Sequence, residues 1–320
     1  MRDQRGFALL AVMLVLALLG VVVTELSVSM RLEASMVRSH KESVQATHLA
    51  EAAVQQAMRE ILGPGNIQAL DRDGALVFLR AGEGAGLPVR LPKLPREGVA
   101  LGAGEFSYRI SDEEARISLN NAPADRIDRL LSAAGVDKPT RDTINDSLQD
   151  WKDPDDLRRL NGAESEDFYL KLPVPYRARN GPLQDTAELL QIRGVTREIY
   201  QGAPRQPGLA DLVTVTAGPG TANMNTAPEP VLRALGFLDA ELSDITGNRV
   251  ANPYTAVPAR YGGRGLAVGS ATFRIEAEGR VSGEPRARIV AIVQRRAGTP
   301  TGNAPPGMRV AILSWRPAEP

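Results

Sequence analysis

FALLAVMLVLALLGVVV, residues 7–23, runs for 17 residues without a charge or a strongly hydrogen-bonding side chain, and TELSVSMRLEASMVRSHKESVQATHLAEAAVQQAMREIL, residues 24–62, contains neither Pro nor Gly. At 1.5 Å per residue the first run makes about 25 Å of helix, near the lower limit for crossing a hydrocarbon core. In the second, Leu26, Met30, Val37, Val44, Leu49, Ala53, Ala57 and Ile61 recur at mostly helical spacing among charged residues. Gly63-Pro64-Gly65 stops the pattern, as a C-cap glycine followed by proline should. The spacing therefore predicts one helix over 7–62, roughly 80 Å long, apolar for its first third and amphipathic beyond. Arg2, Asp3 and Arg5 precede it. The positive-inside tendency keeps that end in the cytoplasm and sends everything after residue 23 across the membrane. Neither an A-x-A-like cleavage site nor an ordinary polar stop follows the apolar run.

The rest of the composition narrows the classes of function. The chain has 320 residues, 38 Lys+Arg against 38 Asp+Glu, two His and no Cys. Balanced charge argues against a protein devoted to nucleic acid, which is bound by basic residues neutralising phosphates. Without cysteine there are no disulfides, no cysteine-based zinc sites and no thiol nucleophiles. His40 and His48 lie eight apart on the long helix with no partner at zinc spacing, and no serine has a plausible histidine base, so a hydrolase triad has no support. Gly82, Gly84 and Gly86 form a loop that lacks the Lys-Ser/Thr ending of a phosphate loop.

Beyond the helix, residues 63–104 are rich in Gly, Pro and Leu and suit an ordered connection or sheet edge. EFSYRI (105–110) and ARISL (115–119) alternate like strands around the acidic turn 111–114, which reads as a hairpin. Helices follow over 125–135, 138–151 and, in a shorter pair, 186–200, and GAPRQPG closes the block near residue 208. ISLNNAPADRIDRL (117–130) is echoed by ANMNTAPEPVLRAL (222–235), a shared strand-to-helix device with Asn or Thr and Pro at the cap. The chain ends in three strands, 271–281, 287–294 and 308–315, read as an antiparallel meander.

A short basic leader ending in glycine before an apolar helix resembles the N-terminus of type IV pilin-like proteins. That resemblance implies cleavage by a prepilin peptidase between Gly6 and Phe7 and methylation of the new Phe7 amine, removing Arg2, Asp3 and Arg5 and leaving a formal charge of −1. Most of the class carries Glu at the fifth mature position, where this chain has Ala11. With RGFALLAVMLVLALL, ISLNNAP, DSLQDWKDPDD, NGAE followed by FY, PYRARNGPLQDTAELLQIRGV and NMNTAPEPVL in order, the chain resembles the K-type minor pseudopilins of type II secretion systems.

The fold so implied is α+β: a pilin-like fold with a long N-terminal transmembrane helix on an antiparallel sheet, plus an inserted mainly helical domain. Its expected parts are a leader (1–6), the long helix (7–62, membrane segment 7–23), a first pilin-like part (63–120), the insertion (121–207) and a second pilin-like part (208–320). The resemblance further implies a non-enzymatic, single-pass inner-membrane subunit with a cytoplasmic N-terminus and a periplasmic domain. With I- and J-type minor pseudopilins it would form the tip complex that initiates and caps the periplasmic pseudopilus. The major pseudopilin, the prepilin peptidase and the inner-membrane assembly platform are its other expected partners, with exoproteins as further candidates and nucleic acid not expected. A competence or type IV pilus minor pilin, or a membrane-anchored periplasmic DNA binder, is the competing reading.

Asp150, Asp153, Asp155 and Asp156, followed by Glu164, Glu166 and Asp167, make the densest carboxylate cluster. Crowded hard oxygens suit Ca²⁺, although the EF-hand glycine and glutamate are absent. The residues alone leave a solvated acidic loop and a calcium site both open. K-type pseudopilins are described as binding calcium in the helical domain, so the resemblance implies Asp150, Asp153, Asp155, Asp156 and Glu164 as candidate ligands, with no organic cofactor. LLQIRGVTREIY, and more loosely LLSAAGVDKPTRDTI, resemble helix-hairpin-helix elements. Gly194-Val195-Thr196 lacks the second glycine and Gly135-Val136-Asp137 puts an acid there, so both read as packing units.

Overall fold

The computed structural model describes residues 5–82, 87–204, 206–216, 218, 220–297 and 308–318, without the side chains of residues 5–8. Most of the expected leader, the glycines at 84 and 86 and the turn before the last strand lie outside the described residues. Helix α1 (Arg5–Ile61) is continuous. A small sheet follows, β1 (Ile67–Leu70), β2 (Leu76–Arg80) and β3 (Val89–Arg90), where composition suited an ordered connection or sheet edge. Then come β4 (Val99–Leu101) and β5 (Gly104–Asp112). The chain next enters a helical module: β6 (Ile117–Ser118), α2 (Ala124–Ala133), α3 (Lys138–Lys152), α4 (Arg197–Gln201), β7 (Gly202–Ala203), β8 (Gln206–Pro207), α5 (Leu209–Leu212), β9 (Val213–Thr214), β10 (Ala222–Asn223), α6 (Glu229–Ala234), α7 (Asp239–Ala251) and β11 (Leu266–Ala267). It returns through β12 (Thr272–Val281), β13 (Glu284–Ala297) and β14 (Met308–Ala318).

The main sheet is antiparallel in the order β14-β13-β12-β5-β4. Period-two alternation turns Phe106, Tyr108 and Ile110 of β5, Phe273, Ile275 and Ala277 of β12, and Ile289, Ala291 and Val293 of β13 to one face. Helix α1 covers that face with Ala46, Leu49, Ala50, Ala53, Val54, Ala57 and Ile61, a stripe at helical spacing in which small residues allow close approach. The approach is tightest at Gly279, where a Cβ would lie 1.9 Å from the Ala46 carbonyl oxygen. At its far end α1 is pinned by Glu60, whose carboxylate accepts from Arg96 (2.6 and 3.1 Å) and from the Tyr108 hydroxyl (3.0 Å).

Two sequence expectations change. EFSYRI and ARISL do not form a hairpin: β5 pairs with β4 and β12, whereas β6 pairs in parallel with β9. The acidic turn fails to reverse the chain because its side chains are buried; Asp112, Glu113 and Glu114 are 5%, 1% and 8% exposed. They bond to distant segments, and the chain leaves the sheet as a single 3₁₀ turn at Glu113–Ala115. The second change concerns the expected boundary at residue 207, which coincides with no break in packing. Leu209, Leu212, Val231, Leu232, Phe237, Leu242 and Ile245 share one core with Ile127, Leu130, Ile144, Leu148, Trp151 and Tyr169. The packed helical module therefore spans about 117–268, and the chain crosses between it and the sheet twice.

The internal echo is a structural one. Pro123 and Pro228 cap α2 and α6 with the same backbone geometry (φ −68° for both; ψ 156° and 157°). Asn120 donates from Nδ2 to the carbonyls of Leu183 and Val215 and accepts the Leu183 amide; Asn225 donates to Tyr254 and Val268 and accepts the Tyr254 amide. Each asparagine follows a two-residue parallel strand, β6 on β9 and β10 on β11. Each thus ties its own strand–helix corner to two other segments.

Candidate functional site

Two regions carry functional chemistry, the free part of α1 and the acidic loop of the helical module. On α1, residues 9–41 are exposed throughout. This part includes a helix long and apolar enough to cross a membrane. Gly6 and Phe7 lie in its first turn, and Ala11 is exposed on it. Among the described residues, its apolar packing on the sheet begins at Ala46, one turn after Glu42 pairs with Arg286 of β13.

Because Ala46 lies against Gly279 near the end of β12, and Arg295 of β13 donates to the carbonyl of Gly65 just beyond α1, α1 and β12 run in opposite senses. The two crossings into the helical module, at 112–116 and 268–272, therefore lie at the C-terminal end of α1. That end is about 57 Å along the helix from Val23.

The acidic loop is built around motif residues. Trp151, at the end of α3, stacks edge-on with Tyr169 and Tyr176 at 5.3 and 6.3 Å between centroids, and Tyr169 and Trp151 are fully buried. Arg179 pairs with Glu188, which also accepts from the Trp151 indole. Asn180, in the left-handed region at φ 48°, donates to the Asp155 carbonyl and the Asp156 carboxylate. DSLQDW, FY, PYRARN and TAELLQ are thus parts of one assembly that shapes the loop.

Within it, Asp150 is fully buried and its carboxylate accepts from the Arg159 guanidinium (2.8 Å) and the Arg159 amide. Arg159 also bonds Asp153, the C-cap of α3. Gly162 leaves the room Asp150 occupies: a Cβ there would fall 1.9 Å from Asp150 Oδ2. Glu164 is 3% exposed, and among the described residues neither of its carboxylate oxygens has a hydrogen-bond partner, nor has Asp153 Oδ1. Burial, and then the like charges of Asp150, Asp153 and Asp156, push the Glu164 carboxyl up to about 7. Burial likewise raises Asp150 despite Arg159.

Asp155 caps the Leu157 amide and Asp156 is held by Asn180. Glu166 and Asp167, two further acids, pair with Arg177 and Arg158. Among the described residues, no three His, Asp or Glu side chains stand as a ready-made ion site. A buried carboxylate without a donor, beside two more carboxylates and a cradle that only glycine leaves open, is nevertheless a hard-oxygen environment short of positive charge.

Gly135 (φ 79°) and Thr196, two residues beyond Gly194 (φ 90°), border one cleft that also holds Asp137 and Glu198. A Cβ on Gly194 would come 2.9 Å from Ile144 Cγ1, so this turn is packed against α3. Acids occupy the place where a phosphate-binding turn needs free amides and base.

What sequence reading missed was the trio Asp112, Glu113 and Glu114. The sequence reads them as part of the acidic turn 111–114 of a hairpin, and only their burial shows otherwise.

A long helix, apolar and exposed in its first part and laid on an antiparallel sheet by its last turns, with a helical module at the end distal from the apolar segment, is a pilin-like fold with an insertion. Residues 108–205 match the family model of type II secretion system (T2SS) protein K. Over 322 residues the chain is 26% identical to the type II secretion system protein K of Pseudomonas aeruginosa, covering 92% of this chain and 90% of that one. The protein of the same name from Pectobacterium carotovorum is 29% identical over 218 residues, which span 62% of this chain and 60% of that relative. The fold matches a chain in the crystal structure of the GspK-GspI-GspJ complex of the enterotoxigenic Escherichia coli type 2 secretion system, with TM-score 0.60 and 18% identity. That match covers 90% of this chain and 100% of the other. The resemblance to K-type minor pseudopilins carried by the motifs is thus met by family model, relatives and fold together.

Proposed function

We propose that this chain is a K-type minor pseudopilin that joins I- and J-type minor pseudopilins in the tip complex of a type II secretion pseudopilus, initiating and capping it for exoprotein export. The observation that carries the reading is the placement of the helical module. It stands at the C-terminal end of α1, distal from the apolar segment, where the next subunit of a growing filament would have to stack. Ala11 supports the same role. A Glu at this position would need an upper neighbour's amine, because an unpaired charge in lipid is costly; alanine needs none.

The mechanism is differential packing. The exposed apolar run of α1 bundles in the membrane and then among partner helices, and the module blocks upward growth. This is assembly rather than catalysis. An inner-membrane location with the N-terminus in the cytoplasm, cleavage between Gly6 and Phe7 and methylation of the Phe7 amine belong to the same proposal. Mass spectrometry of the purified N-terminus tests the last two. Co-expression with I- and J-type partners tests the whole: a stable ternary complex is expected, and a chain that stays monomeric overturns the reading.

In the helical module, Asp150, Asp153 and Glu164 would hold a Ca²⁺, supplying the positive charge that Glu164 lacks. Asp155 caps the Leu157 amide and Asp156 is held by Asn180, and of these two Asp156 adds its charge to the field on Glu164. A calcium titration followed by melting temperature tests it, and no shift at millimolar calcium removes it.

A further inference from the structure

The two crossings between sheet and helical module are fastened by three consecutive carboxylates. Asp112 Oδ2 accepts from Ser270 Oγ (2.7 Å), Thr226 Oγ1 (2.6 Å) and Asn223 Nδ2 (2.9 Å), and Oδ1 accepts from the Glu114 amide (2.9 Å). Glu113 accepts from Arg274 (3.0 Å twice), Arg116 (2.7 Å) and Thr214 Oγ1 (2.6 Å). Glu114 Oε1 takes the amides of Ala271 (3.1 Å) and Thr272 (2.9 Å). The outgoing crossing thus holds the returning one, and through Asn223, Thr226 and Thr214 it also holds the module itself.

Compensation differs among the three. Burial raises Glu113, but the hydrogen bond from Arg274 and the charges of Arg116 and Arg274 outweigh it and hold its carboxyl below the ordinary value. Among the described residues, Asp112 has only neutral donors. Burial pushes its carboxyl up to about 6, with the Glu114 charge adding to the effect and the Ser270 and Thr226 hydroxyls opposing it. Its charged surroundings are few. Arg109 of β5, Asp211 of α5 and Arg116 line the adjoining cleft. Arg274 of β12 is occupied by Glu113, Arg295 of β13 acts on Glu114, and Glu229 of α6 is engaged with Arg233. From β1 only the neutral Gln68 reaches the cluster, through the Ser270 amide. Both hydroxyls around Asp112 can donate or accept, so the cluster satisfies the carboxyl in either protonation state.

We propose that this clasp is a protonation-sensitive joint, gripping the helical module on the sheet more tightly when Asp112 is protonated. The inference does not depend on the secretion role. With the folded value raised from 3.8 to about 6, the contribution of Asp112 is fully present below 3.8 and is lost as pH rises through about 6. Glu113 acts oppositely: its contribution is present above 4.5 and is lost as pH falls through its depressed value. The grip is therefore strongest in mildly acidic solution. If Asp112 regains its ordinary value in the open joint, opening is about tenfold less favourable at pH ~5 than at pH ~7.5.

Hydrogen exchange of the full chain in detergent, corrected for the intrinsic pH dependence, reads this in peptides covering 112–118 and 268–272. The expected result is the tenfold change in those peptides, absent from α1 peptides on the sheet and abolished by Asp112→Asn. A flat wild-type profile overturns the proposal whether or not the variant folds. So does an equal change in the α1 peptides, or a variant that keeps the wild-type slope.

Discussion

Replacing Gly279 by alanine tests how closely α1 lies on the sheet. The added Cβ would stand 1.9 Å from the Ala46 oxygen, 2.8 Å from its carbonyl carbon and 3.0 Å from the Ala50 nitrogen. All three are backbone atoms of α1, so no rotamer change relieves the clash. Restoring an ordinary C···O contact of about 3.3 Å requires α1 to retreat by roughly 1.4 Å at this point. A gap of 0.5–1 Å already forfeits about a quarter to a half of the dispersion well, and Ala46, Leu49 and Ala50 would all bear it. Overpacking typically costs about 1–3 kcal/mol, and a clash confined to backbone belongs at the upper end, near ~3 kcal/mol. For a chain of this size that lowers the melting midpoint by roughly 6 °C, at about 2 °C per kcal/mol. Far-UV circular dichroism of the detergent-solubilised chain reads it. Gly283→Ala, in the open β12–β13 turn at φ 81°, serves as the comparison and should cost only about 1–2 kcal/mol from backbone strain. If Gly279→Ala melts within a degree of the parent, the close-approach argument is wrong.

The remaining predictions concern other links in the structure. Gly247, inside α7 with nothing within 4 Å of its missing Cβ, should give a gain of about 0.5–1 kcal/mol on substitution by alanine, read by the same melt. Asn120→Ala and Asn225→Ala should each cost about 1–3 kcal/mol, because each orphans carbonyls and an amide at a helix corner. A much smaller loss at either one breaks the equivalence of the two corners. Glu164, raised to about 7, contributes stability that is fully present below 4.5 and lost as pH rises through about 7. Without divalent cation the chain should therefore melt lower at pH ~8 than at pH ~6 on this group's account, and Glu164→Gln should remove that difference; parallel profiles for parent and variant would refute it. Ala11→Glu should leave assembly of the ternary tip complex unchanged, and incorporation along the whole filament would count against the capping role.

The sequence by itself determined the features whose signal is local. The 17 apolar residues, the uninterrupted amphipathic run and Gly63-Pro64 specify α1, because helix periodicity and its termination involve neighbours three or four residues apart. The three closing strands were legible from alternation, and the two Asn-x-Ala-Pro corners from cap chemistry. In the acidic loop, DSLQDW and PYRARN carried the family resemblance, while their meeting through Trp151, Tyr176, Arg179 and Glu188 is tertiary. What only the tertiary structure decided depends on partners far along the chain. Asp112, Glu113 and Glu114 have the composition of a solvated turn; partners from Thr214 to Arg274 make them a buried clasp. The module's reach past residue 207 follows from side chains at 209–261 sharing a core with those at 117–192. Gly279 looks like any strand glycine until Ala46, over 230 positions earlier, is laid across it. Hydrophobic period and cap propensity are written in adjacent residues, whereas desolvation and close approach exist only once distant segments share a volume.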